Sequence, residues 1–500
     1  MKKIQWFLGA LLFLTGMQAT AQEMVKVKVP QKHEVGPSVM PKEIAPIKAP
    51  FAMPQLKKPV FSNREISIVK TGAKQKGMST KAIQKAIDQV NKQGGGTVII
   101  PQGEWKTGRI ILKSNVNLRL EKNAVLSFSG QIKDYLPVVF TRNEGVELYS
   151  LGSMIYAKDA ENIAITGEGT LTGPGRGCEI DTLEKNGSFL DREMWKVPLK
   201  DRIYDGKKGT KFYRPTFVGF IHCKNILVEG ITMTGTIFWN IVPEYCENVI
   251  IRGVTIDSFH TPRGDAMDMS STKNVLIEYC WVNTTDDAYT IKSGRGKDGL
   301  RVNIPTENVV IRHCYATHSA GGVAIGTEVA GGVRNVYTHD CVFEECSNGS
   351  YIKTRRTRGG GAENIYFDRI RLINCKTAFL WNMLGNRQWM GELGDRYPKN
   401  EPIPAESPCY KNMFFKDFIV ESCGTLLKVT GTPEHPVENV VIENVDAKCQ
   451  NTFILQDLKN FRLKNWRVQS EQCGYTSTGL ESFSMENVEV KQLKNAERRR

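Results

Sequence analysis

The chain has 500 residues, with 67 Lys and Arg against 53 Asp and Glu, a formal net charge of +14. After the first twenty or so positions no apolar run is long enough to cross a bilayer, which excludes a helical membrane span. The seven histidines are scattered without metal-ligand spacing, and the basic residues form no recognisable DNA- or RNA-binding motif, so neither a histidine metal centre nor a nucleic-acid reader is expected.

Met1-Lys2-Lys3, the mostly apolar run Ile4–Met17 and the small residues Ala19-Thr20-Ala21 have the order of a secretory signal peptide over residues 1–21. No cysteine follows the cut to carry a lipid. The mature protein is therefore expected to be soluble and periplasmic or secreted. A basic exported chain points to an anionic partner, and outside the cytoplasm an acidic polysaccharide is favoured over nucleic acid. Residues 22–62, rich in Pro, Lys and Val without periodicity, read as an extended arm or linker. Residues 63–500 read as one elongated domain.

Within that domain, Ala82, Ile83, Ala86, Ile87 and Val90 fall at helical spacing. The spacing predicts a short helix over 79–91, begun at Ser79 or Thr80 and stopped by Gly94-Gly95-Gly96. Such a helix would cover the open end of a solenoid, and Thr97–Pro101 would begin the coils.

The solenoid is read from a recurring phrase, an Asn followed by branched apolar residues. It starts at Asn225, Asn248, Asn274, Asn308, Asn335 and Asn364, with fainter copies at Asn162, Asn439, Asn460 and Asn487. Repeats of this length signal units that cannot bury a core alone. Val and Ile suit strands, Gly, Asn, Thr and Ser between them suit turns, and no helical stripe intervenes. The reading is an all-β, right-handed parallel β-helix with a short N-terminal capping helix. A leucine-rich repeat would need a Leu-dominated and more constant period. Cys280, Cys314 and Cys341 each lie six residues after their Asn, so they are expected to form an interior ladder of free thiols, not disulfides. The Asn residues are expected to ladder at a bend.

Carboxylates cluster on neighbouring repeats. Asp265 and Asp268 lie in Arg263-Gly-Asp-Ala-Met-Asp268, and Asp286-Asp287 lie one repeat later, before Lys292-Ser293-Gly294. Coils about 4.8 Å apart bring equivalent positions together, and glycoside hydrolysis needs one carboxyl to protonate the leaving oxygen and another to activate water or attack. Adjacent residues on a regular strand face opposite ways, so Asp286 and Asp287 can serve one site only if the backbone turns there.

These motifs, followed by Ser319-Ala320-Gly321 with Gly326-Thr327-Glu328 and then Tyr351-Ile352-Lys353, resemble glycoside hydrolase family 28, the polygalacturonases and rhamnogalacturonan hydrolases. The phrases Ala82–Ile87, Gly95–Gly103 and Phe238-Trp239-Asn240 with Pro243 and Cys246 agree with it, and the resemblance runs from about Ile66 to at least Val445. It implies inverting hydrolysis of a pectin-type substrate without a metal or other cofactor. Asp286 would be the general acid, and Asp265 and Asp287 would hold and activate water. Lys353, Tyr351, Asp268, Lys292, Asn240 and Arg355 are the implied substrate-binding set.

Two positions depart from the family pattern: its His falls on Ala320, with His318 out of register, and its Arg falls on Tyr351. Losing a bidentate fork for a carboxylate favours a leaving sugar such as rhamnose, unless Arg355, Arg356 or Arg358 substitutes and restores homogalacturonan. The loop Gly294–Gly299 resembles loops that close the cleft in exo-acting relatives. It also fits Gly-x-Gly-x-x-Gly, but a strand phrase in place of a following helix argues against a dinucleotide site. A lyase on the same scaffold and a non-catalytic carbohydrate-binding β-helix are the competing readings.

Overall fold

The computed structural model describes residues 27–183 and 194–493, so the expected signal segment, 1–21, lies outside the described residues. The chain winds into a right-handed parallel β-helix of three faces. The first face carries strands such as Lys224–Glu229, Glu247–Arg252, Lys273–Glu278 and Thr306–Arg312. The second carries Thr232–Thr234, Thr255–Ser258, Trp281–Thr284 and Tyr315–Thr317, and the third Ile241–Glu244, Met267–Ser270, Tyr289–Lys292, Gly321–Ile325, Asn348–Lys353 and Cys375–Asn382. Each strand pairs in parallel with its equivalent one coil away: on the first face Ile250 lies beside Leu276 and Leu276 beside Val310, and on the third Met267 lies beside Tyr289 and Tyr289 beside Val323.

The recurrent Asn is what sets this register. Asn248 and Asn274 adopt left-handed backbone conformations (φ 59° and 57°), which Asn tolerates better than most residues. Each donates its side-chain amide to the Asn oxygen of the preceding coil: Asn248 to Asn225, Asn274 to Asn248 and Asn308 to Asn274, at 3.0–3.1 Å. The ladder extends from Asn115 through Asn162 to Asn412, Asn439 and Asn460. Asn487 does not join it; it donates to Asn465, which donates to Asn444, in a second ladder one bend further round.

The thiols also stack as expected. Cys280, Cys314 and Cys341 are buried, each donating to a carbonyl of the preceding coil. All twelve cysteines are free.

The N-terminal helix α1, Thr80–Lys92, buries Ala82, Ile83, Ala86, Ile87 and Val90 over the first coil. Ser79 stands at its start, but its hydroxyl donates to Lys74 O and does not cap the helix.

Residues 27–62 run as a strap along the outside of the solenoid, first over the second face, where Val35 buries against Tyr315 and Val342, and then over the first. Ile47 and Leu56 bury against Ala164, Leu227, Ile250, Leu276 and Val310. Arg252 and Arg312, both paired with the fully buried Glu278, donate to strap carbonyls of Pro41, Lys42, Ala45 and Pro46.

Insertions leave the coils at two edges of the third face. At its entry edge lie the hairpin Val139–Asn143 with Val146–Ser150 and the described residues between 173 and 215. At its exit edge lie α2, Gly296–Val302, and the loop 383–408. Helix α2 corrects the expectation that no helix follows Gly294-x-Gly. Its seven residues precede another coil of the solenoid, so the βαβ context of a dinucleotide site is still missing.

Asn248→Ala removes two rungs of the ladder and leaves Ala in a left-handed conformation. It should destabilise the fold by about 1–3 kcal/mol, seen as a lower denaturation midpoint. Asn248→Gly should recover the backbone part of that loss only, and equal midpoints for all three proteins would refute the ladder's role.

Candidate active site

The turns that enter the third face are stitched together across coils, and they carry the carboxylates. Asn240 N donates to Asp265 O, Ala266 N to Asp287 O and Ala320 N to Asp286 O, at 2.9–3.0 Å. The carbonyl of Gly264 is held in addition by the hydroxyls of Ser258 and Thr284 at 3.1 and 2.6 Å. Asp286 and Asp287 sit in the bend between strands Trp281–Thr284 and Tyr289–Lys292, which frees them from strand alternation. Asp287 N donates to Asp286 Oδ1 at 3.0 Å. Carboxylate oxygens of Asp265, Asp286 and Asp287 all lie within 4.8 Å of one another.

Two ammonium groups hold this acidic cluster. Lys292 Nζ lies 2.9 Å from Asp265 Oδ2 and 2.6 Å from Asp268 Oδ1, and 3.6 Å from the centre of the Trp239 ring. Lys353 Nζ lies 2.7 Å from Asp287 Oδ2 and 4.2 Å from the centre of the Tyr351 ring. Burial pushes Asp265 well above the usual carboxylate range; Lys292 opposes this, while Asp268, Asp286 and Asp287 add to it. Burial likewise raises Asp287 against the pull of Lys353, and lifts Asp268 to about 6 against that of Lys292. Both lysines are raised, because the carboxylates outweigh desolvation. Three such oxygens also form a donor set of the kind that binds a divalent cation, but here two of the three carboxylates already face an ammonium.

The expected residues therefore separate into two groups. Asp286 is the partly exposed member of the triad, and Tyr351, Lys353 and Arg355 are also partly exposed. Asp268 and Asn240 are fully buried, and Lys292 is as buried as Asp265. Asn240 donates its side-chain amide to Asp265 O at 3.1 Å and Lys292 faces Asp265 and Asp268, so these residues position the triad. Arg356 is consumed by Glu434 and by carbonyls of Leu393, Asp395 and Arg396, and Arg358 is buried 3.7 Å from Glu328. Only Arg355 of the three arginines remains open to solvent near the groove. His318 turns away, hydrogen-bonded to Asn283, paired with Glu345 at 2.9 Å and packed on Phe259, so it does not supply the imidazole missing at Ala320. A Cβ on Gly321 would come within 3.1 Å of Asp287 Oδ1 and 2.9 Å of Tyr351 Cβ, which explains a glycine there.

Sequence reasoning missed the residues that wall the site on the Asp265 side. The tip of the 139–150 hairpin places Glu144 between Arg263 and Arg295. Arg142 is buried and donates to the hydroxyls of Ser270 and Ser271 at 3.0 Å. Glu147 takes Tyr245 and Arg301, and Asp298 of α2 takes Arg202 at 2.8 Å. These residues lie outside every repeated phrase. Their neighbourhoods in the chain, Thr141–Glu147 and Gly294–Arg301, are polar and Gly-rich like any loop, and carried no signal that marked them.

Residues 96–382, more than half of the chain, match the family model Glycosyl hydrolases family 28. The chain belongs to glycoside hydrolase family 28. It is 31% identical to the hyperthermoactive exopolygalacturonase from Thermotoga maritima, superposing with a TM-score of 0.74 over 83% of this chain and 93% of that one. It is 28% identical to a probable polygalacturonase of Vitis vinifera, over 74% of this chain and 70% of the relative. It is 27% identical to the exo-poly-alpha-D-galacturonosidase of Dickeya chrysanthemi, over 85% of this chain and 74% of the relative. The protein is thus a glycoside hydrolase of a pectin-degrading family.

Lys292→Met keeps the side chain's bulk and removes the cation between Asp265 and Asp268. Carboxyl ¹³C titrations of both aspartates should move to higher pH, and stability should fall by about 3 kcal/mol, as when one partner of a buried ion pair is lost. Unmoved titrations would show that Lys292 does not hold them.

Proposed function

We propose that this hydrolase removes galacturonate from the end of a pectic chain by inverting hydrolysis, with Asp286 as general acid and Asp265 and Asp287 as the groups that hold the attacking water. The convergence of these three carboxylates at stitched turns carries the reading. Asp286 is the partly exposed member, placed where a glycosidic oxygen can reach it, and the nearly buried Asp265 and Asp287 lie beside it. Hydrogen bonds between oxygens run to about 3.0 Å, so one water fits between two acceptors no more than 4.8 Å apart. Lys353 stabilises the ionised form of Asp287 and offers its remaining donors to a substrate carboxylate.

End-on cleavage is supported by the wall on the Asp265 side, where Glu144 ties the hairpin tip to Arg263 and Arg295. The exo-acting relatives named above agree with it. They also support homogalacturonan as the chain attacked. A bond from galacturonate to rhamnose is the second reading, favoured by Tyr351, whose ring offers stacking and a hydroxyl but no cation at the position of the family's arginine. The signal-like order of residues 1–21 supports a periplasmic or secreted enzyme.

Product analysis on polygalacturonate and on rhamnogalacturonan oligosaccharides tests this reading. The expected result is monomeric galacturonate from polygalacturonate, without ultraviolet-absorbing ends and with the anomer of the first product inverted relative to the substrate linkage. Reducing ends from rhamnogalacturonan alone would establish the second reading. Absorbing products would indicate a lyase, and a retained anomer would make one carboxylate a nucleophile. Asp286→Asn should lower kcat by about 10²–10⁴-fold.

The pH profile is a separate check. A carboxylate that activates water must be ionised, and burial raises both Asp265 and Asp287. Activity should therefore fall on the acid side through a limb above the ordinary Asp value of about 3.9. A limb at or below that value would argue against these two residues as the water-holding pair.

A further inference from the structure

The loop 383–408 begins where the family match ends, at residue 382, and it holds two large side chains out in solvent. Trp389 is 61% exposed and Tyr397 65%. An indole left so open forgoes about 25 cal/mol for every Å² of apolar surface it could bury. A disordered loop would need no explanation for that, but this loop is rigidly held. Arg356, itself fully buried, ties Leu393, Asp395 and Arg396 to Glu434. Arg396 in turn binds both carboxylate oxygens of Asp457. Asn386 caps the short helix Arg387–Met390 that carries the indole.

The position of Trp389 follows from coil order. Asp287 lies on one coil, Ala320-Gly321 on the next, Lys353 on the third, and the strand that leads into the loop pairs Asn382 with Lys353 on the fourth. Arg355 follows Lys353 by two residues. A Cβ on Gly385 would meet Arg355 Cγ at 2.9 Å, so the arginine leans against the loop, with its guanidinium 5.9 Å from the centre of the Trp389 ring. Arg355 makes no ion pair among the described residues. At about 4.8 Å per coil, the strand that leads into the loop lies roughly 14 Å along the axis from the coil of Asp287, and the indole stands beside Arg355, between that strand and the Lys353 coil. It lies on the side opposite the wall built around Glu144.

From this placement we propose that Trp389 and Arg355 form a distal subsite that binds a uronate sugar beyond the leaving group, and so reads chain length. The apolar face of a pyranose ring packs on the indole, as apolar groups pack on aromatic faces. The guanidinium forks the sugar's carboxylate. A cation beside an aromatic face matches an acidic sugar better than a neutral one, which agrees with the net positive charge of the chain. The subsite rests on the pectic-substrate reading above, and it adds a reason for the loop: a wall closes one end of the groove, and a platform receives the chain leaving the other.

Binding tests this independently of turnover. Galacturonate oligomers of two to six units are titrated calorimetrically against the full-length Asp286→Asn protein. Affinity should rise with length, by about tenfold between dimer and hexamer. Adding Trp389→Ala should erase the rise, so that the hexamer binds like the dimer, and Trp389→Phe should restore most of it. Arg355→Gln should erase the rise for galacturonate oligomers but spare it for methyl-esterified ones. A length dependence that survives Trp389→Ala, or no binding by any oligomer, overturns the subsite. Binding that depends on Trp389 in a protein whose parent hydrolyses none of these oligomers would uphold the subsite and overturn the proposed reaction instead. A thermal midpoint measured for each variant separates loss of the platform from loss of the fold.

Discussion

In a parallel coil the backbone N–H and C=O groups point along the solenoid axis, and only the neighbouring coil can satisfy them. That requirement sets one spacing and one register along the molecule. The Asn ladder enforces the register, because each side-chain amide both donates and accepts and so meets an identical residue in the next coil. From it follows the placement of the active site. Asp265 and the Asp286–Asp287 pair are separated by about twenty residues of chain, yet they meet because their turns occupy the same position in adjacent coils and exchange backbone hydrogen bonds. A slip of one residue would turn these strands inside out.

Bringing three carboxylates together in a partly dry place is electrostatically unfavourable. The fold offsets this with Lys292 from beneath and Lys353 from the side, each within 2.9 Å of a triad oxygen. The balance is incomplete, since Asp265, Asp268 and Asp287 all remain raised above the ordinary range. Incomplete compensation of this kind is what acid–base chemistry requires: full neutralisation would leave the carboxylates unreactive, and none would leave them protonated. The fully buried Asn240 and Asp268 belong to the same arrangement.

The coils provide the chemistry, and the insertions shape the space around it. The insertions that flank the site leave the solenoid at the two edges of the third face, where a longer loop does not disturb strand pairing. One group, tied by Glu144, Glu147 and Asp298, walls the groove beside Asp265. The other, tied by Arg356 and Arg396, stands beyond Lys353. The N-terminal strap lies on the other two faces, with Val35 on the second and Glu278 holding Arg252 and Arg312 against its carbonyls on the first, so it covers apolar side chains there without entering the groove.

The sequence by itself determined the architecture and the triad. Repeated Asn followed by branched apolar residues specifies stacked strands, and cysteines at one offset specify an interior position, because a solenoid repeats its local environment with its chain. Asp265, Asp286 and Asp287 were legible for the same reason: they occur at equivalent places in consecutive repeats. The helix α1 was legible from its apolar stripe. What the tertiary structure alone decided lies wherever periodicity stops. Whether Asn240, Asp268 and Lys292 face the substrate or support the triad depends on burial, which spacing along a strand does not specify. Asn487 carries the right phrase but sits one bend away, because Ser482 takes the first-ladder position of its coil and Asn487 continues the ladder of Asn444 and Asn465. Helix α2, the wall around Glu144 and the loop bearing Trp389 are single insertions with no repeat to reveal them. Their places are set by ion pairs between residues as distant in sequence as Arg202 and Asp298, or Arg356 and Glu434, which become neighbours only once the coils have stacked.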